Sequence, residues 1–197
     1  MHVEWQSGSI LMFDRNKLYW FVLKTVFSRE LQLKAMLDER GIENFVPMCC
    51  KVKTVKGKKE IVTVPAINDL VFVYARHSTV QQFKRELFLQ KGYDAYFLTR
   101  KEGQRNIIET VPQRQMQDFI RVASQVKEDI AFYKPEEIEL KKGTKVRVIG
   151  GIYDKTEGVL LKVKGKRSKR IVLQIPGVAI AASYIEPELI EVIKDKT

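Results

Sequence analysis

Apolar positions recur along the chain with two different periods. Trp20 to Thr25 is an aromatic and β-branched run of strand length, and Leu70 to Ala75 is a continuous apolar run that suits a buried strand. Between them Leu31, Ala35, Met36 and Leu37 fall at helical spacing, with Ser28 as an N-cap candidate and Gly41 where the helix would end. Phe45-Val46-Pro47, a lysine-rich stretch around Gly57, and Glu60 to Val64 read as strand, hairpin tip and strand. A second helix carries Val80, Phe83, Leu87 and Phe88, capped by Ser78 or Thr79. Tyr93 to Thr99 reads as a further strand, and Gln113 to Ser124 as a third helix with Met116, Phe119, Ile120 and Ala123 on one side. This order predicts an α+β domain, an α/β sandwich with a mainly antiparallel sheet.

The texture changes over residues 127–143, which are charge-dense, contain Pro135 and end at Gly143, as a connection between domains does. Beyond it Val146 and Val148, then Val159, Leu161 and Val163, then Ile171, Leu173 and Ile175 alternate with period two. Val178 to Tyr184 and Leu189 to Ile193 add two short strands, with turns at Gly150-Gly151, Gly165, Pro176-Gly177 and Pro187. Short strands at this spacing predict a small antiparallel barrel. The expected organisation is an N-terminal extension over 1–17, a domain over 18–126, a linker over 127–143 and a second domain over 144–197.

Composition adds direction. The 197 residues are 45% hydrophobic, enough for folded cores, and 35 Lys plus Arg against 24 Asp plus Glu leave a net charge of +11. That balance points to a polyanionic partner, DNA or RNA. No apolar stretch reaches the ~20 residues of a membrane span, and the N-terminus lacks the layout of a signal peptide, so a cytoplasmic protein with no membrane partner is expected. Cys49 and Cys50 are adjacent and build no disulfide framework, and His2 and His77 lie too far apart for zinc spacing. With no Gly-rich phosphate loop, no Ser/His/Asp set and no metal cluster, neither an enzyme nor a bound cofactor is expected. Lys51, Lys53, Lys56, Lys58 and Lys59 crowd the hairpin tip. They suit phosphate contact without base readout, and equally a solvated edge that resists aggregation. Lys162, Lys164, Lys166, Arg167, Lys169 and Arg170 form a second basic cluster with the same two readings, an RNA or ribosome contact or a solvated loop.

The string Lys145-Val146-Arg147-Val148-Ile149-Gly150-Gly151-Ile152-Tyr153, followed by Glu157-Gly158-Val159, resembles a KOW motif of an SH3-like β-barrel. Gly150 and Gly151 suit a turn with positive φ, and Gly158 suits a close approach of backbone or ligand. Upstream, Trp20-Phe21-Val22-Leu23-Lys24-Thr25 and Gly41-Ile42-Glu43-Asn44-Phe45-Val46-Pro47-Met48 resemble the opening of a NusG N-terminal (NGN) domain. Val64 to Val73 resembles that family's entry to its central strand, and Val111-Pro112 with Gln115-Met116 the start of its last helix. Where the family carries a Phe-Pro-Gly/Asn-Tyr pattern this chain has Ile67-Asn68-Asp69-Leu70. That departure, with Arg29-Glu30-Leu31 and the closing Tyr184 to Glu191, is closer to UpxY-type paralogs, antiterminators of capsular polysaccharide operons.

The resemblance implies a non-catalytic factor of transcription elongation and antitermination, monomeric, whose NGN domain docks on the clamp helices of RNA polymerase. By motif match the docking residues are Leu70 and Phe72, with Ile67 and Phe97; the alternative for each is plain core. The basic hairpin would then lie along DNA or RNA of the elongation complex. The KOW domain, with its loop residues Gly150, Gly151, Gly158, Lys164, Lys166 and Arg167, would meet RNA, Rho or a small-subunit ribosomal protein. A KOW-containing RNA-binding protein of translation is the rival reading. RfaH, a specialised relative, uses a His-Thr-Thr triplet; strand register puts that position near Gln81 to Phe83, so Ser78 or Thr79 reads as a cap. RfaH can also fold its KOW domain as a helical hairpin. Here the period-two pattern and the glycines predict strands in the free protein, a flexible linker and an unmasked docking patch.

Overall fold

A computed structural model describes residues 13–55, 57–92, 94–125, 130–133, 143–162, 167–181 and 185–193. In chain order the elements are β1 (Tyr19–Lys24), α1 (Glu30–Glu39), β2 (Glu43–Phe45), β3 (Met48–Val55), β4 (Lys58–Pro65), β5 (Leu70–Ala75), α2 (His77–Lys91) and β6 (Tyr96–Phe97). They continue with β7 (Thr99–Glu102), β8 (Arg105–Ile108), β9 (Thr110–Val111), α3 (Gln113–Ala123) and β10 (Ala131–Tyr133). The last are β11 (Thr144–Val148), β12 (Glu157–Lys162), β13 (Lys169–Ile175), β14 (Val178–Ala181) and β15 (Ile190–Val192). Among the described residues no helix is long and apolar enough to cross a membrane.

The chain divides into two compact units, one of residues up to Asn44 with Asp69–Val111, the other of Phe45–Asn68 with the residues from Pro112 onward. The first is built on a sheet in the order β2-β5-β1-β6, with β9 also paired to β1. The β1–β5 ladder is antiparallel and sets Trp20 against Tyr74, Val22 against Phe72 and Lys24 against Leu70. Alternation then gives the other face Phe21, Leu23, Val71 and Val73. Both faces are buried, which explains why β1 and β5 read as unbroken apolar runs.

Leu33 and Leu37, four residues apart, form the buried stripe of α1. The helix closes on a Schellman motif: Gly41 N–H donates to the Asp38 carbonyl at 2.9 Å and Ile42 N–H to that of Leu37 at 3.0 Å. Gly41 has φ +64°, which a side chain would resist. At the other end the expected Ser28 cap is not made. The N-cap is Arg29, and Ser28 stands before it at φ 52° with its N–H given to Asp69 Oδ1 at 2.8 Å. Helix α1 thus starts one residue later than its sequence suggests, whereas α2 starts earlier. Arg76 is its N-cap, which leaves Ser78 and Thr79 inside the first turn, where neither caps it.

In the second unit, among the described residues, β3 and β4 pair only with each other, while six strands form an antiparallel sheet in the order β10-β14-β13-β12-β11-β15. Among the described residues β10 and β15 are free edges, so the expected barrel is here an open sheet. The segment expected to be a linker contributes β10, which pairs with β14 through Phe132 and Ile180. At Gly158 an added Cβ would stand 2.8 Å from the Val172 carbonyl oxygen, so this glycine is required by strand packing. Gly150 and Gly151 have φ of +91° and +69°, the turn geometry their sequence implies, and Gly150 N–H donates to Asp154 Oδ1 at 2.6 Å.

Candidate nucleic-acid and protein interface

The hairpin β3–β4 is in register from Met48–Pro65 to Val55–Lys58. Its tip turns on Gly57 at φ +79°. Lys51, Lys53, Lys58 and Lys59 are all exposed, and only Glu60, opposite Lys53, offsets them on the two strands. Lys56 lies outside the described residues. Four cations on a narrow two-stranded ribbon form a local positive field of the kind that meets phosphates through charge. The free thiols Cys49 and Cys50 lie on its first strand.

Leu70 and Phe72 do not stand on an exposed patch. They are 4% and 0% exposed and share a sheet face with Val22 and Trp20, whose indole stacks on Tyr74 at 5.1 Å. Phe97 is on the opposite face, because β6 pairs with β1 through Leu23. There it meets Phe21 edge-on at 5.3 Å, with the Lys84 ammonium 5.0 Å from its ring centre. The four expected docking residues are therefore not one constellation. Ile67, half-buried after the hairpin, belongs to neither face.

The Phe97 face holds a cluster that the sequence did not announce. Phe13 folds onto it, stacking on His77 at 4.7 Å and meeting Tyr19 and Phe21 edge-on at 5.1 and 5.4 Å. A short turn aims it there: Lys17 N–H donates to the Asp14 carbonyl and Asn16 N–H to the Asp14 carboxylate. Burial pushes the His77 imidazole below the ordinary histidine range, and the Lys84 charge adds to that. His77 Nε2 is buried and has no hydrogen-bond partner among the described residues. The described end of the N-terminal extension thus covers the start of α2.

A charged seam joins α3 to the C-terminal sheet. Arg114 bridges to Glu157 at 2.6 Å, Gln115 donates to the Gln174 carbonyl at 2.9 Å, and Arg121 donates to the Asp154 carbonyl at 2.8 Å. Glu157 is also held by Arg147 Nε at 2.9 Å, and this raises the Arg147 pKa further. Asp118 is buried beneath the seam. Burial raises its carboxyl pKa, opposed by the Glu157 N–H and by the charges of Arg121 and Arg114. Of the second basic cluster, Lys162, Arg167 and Lys169 are exposed, Lys164 and Lys166 lie outside the described residues, and Arg170 is buried. Arg170 is thus no part of an open basic surface. Among the described residues no group of His, Cys, Asp and Glu could hold a metal ion.

The profile of a family described as "Transcription termination factor nusG" matches residues 18–120. A solved structure described as "Domain interaction in Thermotoga maritima NusG" aligns with 92% of this chain and 100% of its own, at 17% identity and a TM-score of 0.41. Comparison with curated proteins gives no match.

Proposed function

The chain belongs to the NusG family of non-enzymatic transcription factors, and on that premise we propose that it binds elongating RNA polymerase and raises its processivity. The family match over residues 18–120 carries this reading. The resemblance to UpxY-type paralogs extends it to polysaccharide operons, with residues 144–197 as a KOW domain that reaches RNA, Rho or a ribosomal protein. The hairpin lysines Lys51, Lys53, Lys58 and Lys59 take phosphates of the elongation complex, a role their shared exposure supports.

The polymerase-docking face is the one that carries Leu70 and Phe72, with Ile67 preceding it in the chain. Because Leu70 and Phe72 are buried in this conformation, docking requires the face to be uncovered, and the apparent affinity falls by the fraction of molecules in which it is. Phe97 is left out of this surface because it faces the other way. Purified polymerase transcribing past a terminator, with and without the full chain, tests the function. Increased read-through is expected; unchanged termination would contradict it.

A further inference from the structure

The basic hairpin has two unlike faces. Residues paired across an antiparallel ladder point the same way, so Cys50, Val52, Thr54, Lys59, Ile61 and Thr63 form one face. Lys51, Lys53, Lys58, Glu60 and Val62 lie on the other. Every side chain of the first face is exposed, and Val52 and Ile61, directly opposite each other, are 65% and 76% exposed. A pair of large β-branched apolar groups thus stands bare on a ribbon that has no third strand among the described residues. A two-stranded ribbon is marginal in water, and an exposed apolar face on it invites aggregation.

Lys59 shares this face with the pair, and Lys51, Lys53 and Lys58 stand on the ribbon's other face. An occupant that satisfies the whole arm must be anionic outside and apolar within, and a DNA duplex has that layout, with phosphates flanking a base stack. We propose that Val52 and Ile61 form a wedge that enters the minor groove of DNA at a weakened base step, while Lys51, Lys53, Lys58 and Lys59 hold the phosphates on either side. Aliphatic side chains act this way when they unstack a step, and lysine stems are long enough to reach around a ribbon edge. The inference rests on the reading of the hairpin as a nucleic-acid arm and adds which side chains meet the bases.

The test uses the full chain and a DNA duplex with an unpaired bubble, carrying 2-aminopurine at the bubble's edge. Wild-type protein should raise the probe's fluorescence as the base loses its stacking. The V52T/I61T variant should keep the salt dependence of binding, lose the fluorescence rise and bind about tenfold more weakly, as loss of a partly inserted apolar pair implies. Ile61→Leu should keep the rise. Wild-type fluorescence and affinity in V52T/I61T would overturn the wedge, and so would a loss confined to binding of purified RNA polymerase, which would make the pair a protein contact. Separately, K51Q/K53Q/K58Q/K59Q should flatten the salt dependence; an unchanged slope would remove the phosphate-binding arm itself and the wedge with it.

Discussion

Phe72 faces Val22 across the β1–β5 ladder with none of its surface exposed, and that decides what its substitution can test. Removing such a ring leaves a cavity, so Phe72→Ala should lower stability by about 3–5 kcal/mol in denaturant unfolding. A charged residue there would cost more and would report folding rather than docking. Ile67, only half-buried, is the better probe of a docking surface: Ile67→Asp should leave the unfolding midpoint nearly unchanged while weakening polymerase binding. His77 gives a second residue-level test. Its folded pKa is lowered by burial, so the unfolded chain, with a histidine pKa near 6.5, binds the proton more readily. Stability from this group is therefore present above that unfolded value and lost as pH falls through the folded one. Phe13→Ala would rehydrate the imidazole. An NMR titration should show its pKa rising toward the ordinary value, and a value unmoved by the substitution would mean that Phe13 does not cover it.

At the scale of elements, Gly158 and the charged seam define how the C-terminal sheet is held. Gly158→Ala places a methyl against the Val172 carbonyl and should destabilise by about 1–3 kcal/mol, read as a lower thermal midpoint. Strands and helices with a clear apolar period were legible before any coordinates: β1, α1, β5, α2, α3 and the four central strands of the C-terminal sheet. The hairpin β7–β8 was not, because Thr99-Arg100-Lys101-Glu102 carries no apolar alternation and its faces are solvated. Strand β10 was hidden in a charge-dense, proline-bearing stretch. Helix starts were misplaced for a related reason. Ser28, Ser78 and Thr79 have the chemistry of caps, but backbone geometry put Arg29 and Arg76 in the capping positions. At the hairpin, the exposure of Lys51, Lys53, Lys58 and Lys59 could be read because exposure follows from charge. Which sheet face Phe97 takes could not, because it depends on β6 pairing with β1 at Leu23, a long-range register that no local pattern encodes.

At the scale of the whole molecule, this member of the NusG family is a basic chain with two compact units. The C-terminal residues form strands, as their period-two pattern predicts, and no helical hairpin is present there among the described residues. The net charge of +11 favours approach to a polyanion, and salt would weaken each phosphate contact that the proposed arm makes. The most direct test of the central claim is the partner itself. Full-length protein is incubated with purified RNA polymerase and, separately, with purified ribosomes, and binding is measured as salt is raised. The account predicts a complex with polymerase that survives salt concentrations at which any association with ribosomes is lost. Retention on ribosomes with no stable polymerase complex would contradict it.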